Sequence, residues 1–113
     1  MTDCVFCQII AGEISSKSLY QDEEVIAFRD INPVAPTHVL IVPKKHILSL
    51  AHLPDDEMPL IGHMARVANR LAEEEGILER GYRLIISTGN EGGQVVPHLH
   101  MHLLGGRKLS AAP

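Results

Sequence analysis

The order of elements in the sequence predicts an α+β fold: a five-stranded, mostly antiparallel sheet with one long and one short helix. Three observations carry this. Short apolar segments bounded by turn residues recur along the chain. A single long amphipathic stretch sits between the third and fourth of them, not after each one. No G-x-G-x-x-G or Walker loop opens a helix, as a doubly wound nucleotide fold would require.

The elements follow in order. Val5, Phe6, Ile9 and Ile10 recur at helical spacing and Gly12 stops them, giving the short helix. "SLYQ" and "VIAFRD" flank the acidic turn Asp22-Glu23-Glu24 and read as a hairpin. "NPVAPT" carries two prolines and is an irregular loop. "HVLIVP" is a continuous apolar run and suits a central buried strand. Within "DDEMPLIGHMARVANRLAEEEG", Leu60, Ile61, Met64, Val67, Ala68 and Leu71 form one stripe of the long helix. Asp55 or Asp56 is expected to cap its start, Pro59 fits its first turn, and Gly76 ends it. "YRLIIS" and "HLHMHLL" are the last two strands, joined by the glycine-rich "TGNEGGQ". Residues 1–107 are expected to form one domain, with 108–113 a loose tail.

Composition narrows the function. With 45 % hydrophobic and 21 % charged residues, the chain is ordinary folded material and not a disordered one. A net charge of −4 gives no broad basic field for a nucleic-acid backbone, so any phosphate must be gripped locally. The absence of Trp, with two Tyr and two Phe, removes stacking platforms for single strands. "MTDCVFCQII" lacks the basic start and long apolar run of a signal peptide. No stretch approaches the roughly 20 apolar residues that cross a bilayer. The expectation is a cytoplasmic protein with reduced thiols and neither nucleic-acid nor membrane partners.

The chemistry concentrates in His98, His100 and His102, which alternate and so share one face of a strand, with Leu99, Met101 and Leu103 on the other. Three readings compete: a solvated row, a three-histidine metal site, and nucleophilic catalysis at phosphorus. Successive members stand roughly 6.7 Å apart and the outer pair roughly 13 Å. Three nitrogens about 2.0–2.1 Å from one zinc do not converge from so straight a row. A nucleophilic imidazole, by contrast, needs one nitrogen free and the other N–H fixed by an acceptor, with neighbours to meet developing charge. Gly92-Gly93 before the row and Gly105-Gly106 after it leave space for an anion near the backbone, or simply make two tight turns.

These residues carry a resemblance. H-x-H-x-H followed by two apolar residues is the pattern of the histidine triad (HIT) superfamily. "FRDINPVAPTHVLIVPKKH", "GYRLI" and "GGQVVPHLHMHLLGGR" resemble its HINT branch, the nucleoside phosphoramidate hydrolases, from Cys4 to Arg107. The resemblance implies a homodimeric enzyme that cleaves purine nucleoside phosphoramidates without an organic cofactor. His100 would attack the α-phosphorus and His102 would contact the scissile phosphate, with His98 and His38 in the surrounding cluster. Asp30 aligns with the acceptor of the ribose hydroxyls, and Phe6, Phe28, Ile31 and Leu40 with the slot for the base. Gly93, Gln94 and Val95 align with the phosphate-binding segment and Ser87 with the ribose-phosphate contact. The bound nucleotide would be a monophosphate such as AMP or GMP.

Two positions depart from the pattern: Ser87 stands where the family usually has Asn, and Val95 where many members have a small hydroxyl residue. The tail also lacks the aromatic residue that some members send across the dimer. Read without the family, Phe6, Phe28 and Leu40 are plain core, and Asp30 caps a turn. The functional alternatives are a dinucleoside polyphosphate hydrolase and a non-catalytic nucleotide-binding scaffold.

Cys4 and Cys7 form C-x-x-C on the first helix. A thioredoxin-like role needs a preceding strand that three residues cannot supply. Two half-buried thiols and a structural zinc site remain as readings. Some superfamily members join such a pair to a histidine after the central strand and to the first triad histidine. The positions that match are His46 and His98, and together with Cys4 and Cys7 they form the candidate zinc set.

Overall fold

In the computed structural model, which describes residues 4–112, the chain forms one antiparallel sheet between two unequal helices. Residues 1–3 of the expected domain and Pro113 of the expected tail lie outside the described residues. Helix α1 (Val5–Ile10) is followed by strands β1 (Ser18–Gln21), β2 (Val25–Arg29) and β3 (Thr37–Pro43). Helix α2 (Pro59–Glu74) follows two short 3-10 turns, and β4 (Tyr82–Ile85) and β5 (Met101–Gly105) complete the sheet. The spatial order is β1-β2-β3-β5-β4, every neighbouring pair antiparallel.

The long apolar run has a physical reason. β3 is central and buried at every residue, because both faces of the sheet are covered. On one face Val25, Ala27, Val39, Ile41, Met101 and Leu103 pack under Met64, Val67, Ala68 and Leu71 of α2. On the other, Ile26, Phe28, Leu40 and Val42 meet Cys4 and Phe6 of the α1 segment. Register places His102 opposite Leu40, so its side chain stands on this second face. The thin cover given by a six-residue helix leaves room there for a site.

The sequence reading differs from the structure at two places. β5 begins at Met101, not His98, since its ladder with β3 reaches Ile41 and the chain then meets Pro43, which has no N–H to extend it. Residues 98–100 are held instead by Leu99 N–H donating to Ile47 O at 2.7 Å. Neither Asp55 nor Asp56 caps α2. Both lie in a 3-10 turn, and Met58 at the cap has helical φ/ψ and no side-chain bond to the helix. Pro59 does occupy the first turn, and Gly76 follows the helix end with φ +74°.

Candidate functional site

β3 and β5 set two histidines side by side. His38 Nδ1 accepts the Val34 N–H at 3.2 Å, so its proton sits on Nε2, which donates to His102 Nδ1 at 2.9 Å. His102 is thereby left with its own proton on Nε2. Asp30 Oδ2 lies 3.4 Å from the same His38 nitrogen, while Oδ1 accepts the Asn32 N–H at 2.8 Å. The carboxylate is therefore a turn cap, and it keeps lone pairs for further donors. Asp30, His38 and His102 bring ligand-type atoms together, but the His38 Nε2 proton already occupies the space between the two rings.

His100 is buried, and its Nδ1–H donates to the His98 carbonyl at 2.7 Å. Its Nε2 lone pair is thus free. Phe6 stands edge-on to the His100 ring at 5.1 Å and to Phe28 at 5.7 Å. Burial, then the neighbouring His100 and His38, push His102 down to about 4, against the pull of Asp30. Burial also lowers His38, again with Asp30 opposing. Both rings are neutral at pH 7.

Beside this row opens a cleft of about 560 Å³ with Phe6, Phe28, Asp30, Ile31 and Leu40 in its wall. All five were singled out from the sequence. Ile9, Ile14, Lys17 and Val96 also line it and were passed over. Ile9 follows Phe6 by one helical turn, and Val96 precedes His98 by one strand period. Both could have been found by extending the patterns already in use.

The glycine-rich loop is a different matter. The Gln94 amide N–H groups donate to Leu48 O at 2.7 Å and Val96 O at 3.0 Å, and its oxygen accepts from Gly89 N–H. This side chain is spent on closing its own loop and tying it to the segment after β3. Gly93 and Val95 are exposed beside it, and Ser87 is half-buried after β4. The trailing glycines serve packing. A Cβ on Gly105 would come 2.6 Å from Ile77 Cδ1, and one on Gly106 would come 2.8 Å from Pro36 Cβ.

His98 turns to a second cluster. Its Nε2–H donates to Pro43 O at 2.8 Å, which leaves the Nδ1 lone pair facing Cys4 Sγ at 3.3 Å, Cys7 Sγ at 3.6 Å and His46 Nδ1 at 3.1 Å. Cys7 Sγ is 3.2 Å from His46 Nδ1. Ligand atoms of a tetrahedral zinc site stand about 3.3–3.8 Å apart, given bonds of about 2.0–2.3 Å. Two thiols and two imidazoles at this spacing fit zinc in donor type and in geometry. The Pro43 carbonyl is the outer acceptor that orients a ligand histidine. Neither cysteine forms a disulfide. Burial, then the hydrogen bond and charge of Cys4, push the Cys7 thiol up to about 11. His52 bonds Ser49 Oγ and His63 bonds Asp22, both away from these clusters.

Comparison with known proteins gives consistent matches. A model of the HIT domain covers residues 11–109. The purine nucleoside phosphoramidase of Escherichia coli (strain K12) is 50 % identical over 107 residues, spanning 95 % of this chain and 90 % of that protein. Protein HitA of Neisseria gonorrhoeae is 44 % identical over 105 residues, spanning 93 % and 97 %. Among solved structures, a histidine triad protein from Clostridium difficile superposes with TM-score 0.96 at 49 % identity, covering 100 % of this chain and 98 % of that one. A HIT family hydrolase from Clostridium thermocellum gives 0.94 at 46 %, covering 99 % and 97 %. No helix among the described residues is long and apolar enough to cross a membrane.

Proposed function

The chain belongs to the HIT domain family, and on that premise we propose that it is a hydrolase of purine nucleoside phosphoramidates acting through His100. The observation that carries the reading is the fixed tautomer of His100: with Nδ1–H held by the His98 carbonyl, Nε2 is the nucleophile. Attack forms an N–P bond to His100 and breaks the P–N bond of the substrate. The leaving amine takes a proton, with His102 the donor beside it. Water then attacks the nucleotidyl-histidine and gives a proton to His102 Nε2, replacing the one passed to the amine, so that a nucleoside monophosphate such as AMP or GMP is released and His100 and His102 are both restored. The cleft supports base binding between Phe6, Phe28, Ile31 and Leu40, and Asp30 faces the ribose hydroxyls as an acceptor.

Zinc on Cys4, Cys7, His46 and His98 belongs to this reading. It would supply a structural tie, and its contribution to the site is to fix His98, whose carbonyl holds His100. A homodimer also belongs to it, supported by β4, a sheet-edge strand with backbone open to a second copy. So does a cytoplasmic location, which suits thiols kept as ligands.

His100→Ala is expected to abolish turnover of adenosine 5′-phosphoramidate while AMP still binds, and wild-type protein quenched during turnover should carry a nucleotidyl adduct by mass spectrometry. Retained turnover in the variant would reject His100. Faster cleavage of a dinucleoside polyphosphate than of the phosphoramidate would reject the substrate class.

A further inference from the structure

We propose that Arg107, outside the cleft, is a positioning residue that sets the tautomer of the His38–His102 pair by holding the Val34 backbone, whose carbonyl and N–H lie in successive peptide groups; this rests on the roles of His100 and His102 given above. The Arg107 guanidinium donates to Val34 O at 2.9 Å. Val34 N–H in turn donates to His38 Nδ1, and His38 Nε2–H to His102 Nδ1. Three hydrogen bonds thus connect an exposed arginine to the histidine beside the nucleophile.

The intervening loop is built to transmit the hold. Pro33 fixes the backbone just before Val34, and Pro36 restricts Ala35 to an extended conformation. Gly106, with φ +93°, lets the chain turn directly onto Pro36, where any Cβ would collide. Arg80 bonds the Gly106 carbonyl at 3.4 Å and secures the turn from the far side. Arg107 has no carboxylate partner among the described residues. Its other bond is to the Lys108 carbonyl at 2.9 Å, so its charge is directed onto peptide oxygens alone.

The chemistry requires this hold. A neutral imidazole can carry its proton on either nitrogen. If the His38 proton moved to Nδ1, it would face the Val34 N–H, and two donors would meet. His102 would then lose its donor and could no longer be held with its proton toward the phosphate. The charged and titratable groups that face His38 are Asp30, after β2, and His102, on β5. Asp30 favours the protonated ring, and the Val34 N–H favours the neutral one. Loosening Val34 therefore shifts the balance toward imidazolium.

The test compares Arg107→Ala and Arg107→Lys in the full chain, using ¹⁵N-histidine NMR for His38 and the pH dependence of kcat and KM for adenosine 5′-phosphoramidate. In Arg107→Ala, His38 is expected to show a mixture of tautomers and to protonate at higher pH. Its kcat should fall about fivefold, the worth of one hydrogen bond of about 1 kcal/mol, with KM unchanged and the acid limb moved to higher pH. Arg107→Lys keeps a donor for Val34 O and should recover most of both readouts. An unchanged His38 spectrum in folded Arg107→Ala overturns the proposal, as does a rise in KM with no change in the acid limb. Should Arg107→Ala fail to fold, a wild-type His38 spectrum with the acid limb displaced in Arg107→Lys overturns it as well. Absence of turnover in the wild type would reject the proposed function, and the His38 spectra would still decide the role of Arg107.

Discussion

Three histidines at alternate positions serve three environments, and their hydrogen-bond partners separate them. His98 gives its N–H to Pro43 O, His100 to His98 O, and His102 accepts from His38. The alternation was legible in the sequence, and strand spacing argued against one metal shared by all three, although residues 98–100 prove to lie ahead of β5. The tautomers were not legible, because each depends on a carbonyl or N–H supplied from a distant segment. Gln94 illustrates the same limit: its type fits a phosphate loop, yet carbonyls on both sides consume its donors. One consequence concerns pH. The unfolded chain protonates His102 near the ordinary value of 6.5, and the folded one at about 4. Above 6.5 both states are neutral. As pH falls from 6.5 toward 4, the unfolded state takes up a proton that the fold refuses, so stability declines. Urea midpoints should drop across that window, and the drop should be smaller in His102→Asn. Equal slopes in the two proteins would contradict a buried, neutral His102.

At the scale of elements, periodicity did most of the work. The α2 stripe and the doubly covered β3 run were readable because their burial repeats at 3.6 or is continuous. The helix cap and the start of β5 were not, since they turn on a 3-10 turn and on where Pro43 ends a ladder. The β1–β2 turn was readable as a hairpin but not as a joint. Asp22 Oδ1 accepts the Glu24 and Val25 N–H groups, and Oδ2 binds Tyr20 and His63, the last on α2. Burial pushes the Asp22 carboxyl up, but these four bonds outweigh it and hold it below the usual carboxylate range. Asp22→Ala therefore removes a turn cap and a tie between hairpin and helix at once. It should cost about 2–3 kcal/mol, read as a lower urea midpoint with kcat nearly unchanged. A loss below about 0.5 kcal/mol, typical of plain surface sites, would show that the joint is ornamental.

For the whole molecule, the sheet divides labour between its faces. The α2 face holds the larger apolar core, and the α1 face holds both histidine clusters. The zinc proposal is a statement at this scale, because its four donors come from α1 and the cap residue before it, the segment after β3, and the approach to β5. Protein purified without added metal is expected to carry about one zinc per chain by elemental analysis, and light scattering should give twice the 12.4 kDa chain mass. Metal-free reduced protein of unchanged thermal stability would argue against the site, and a monomeric mass against the dimer. Cys4→Ser with Cys7→Ser should lower both metal content and melting temperature.

The contact between Cys4 and His98 spans 94 positions, nearly the length of the chain. Phe6 meets His100 across the same interval. Closing so long a loop is entropically late work, favourable only once the intervening sheet has formed. During synthesis His100 emerges after nearly everything it packs against, and α1 waits at the other end for its arrival. No fragment that lacks either end of the span from Cys4 to His102 contains the whole site. The site is therefore whole only once both ends of that span have come together.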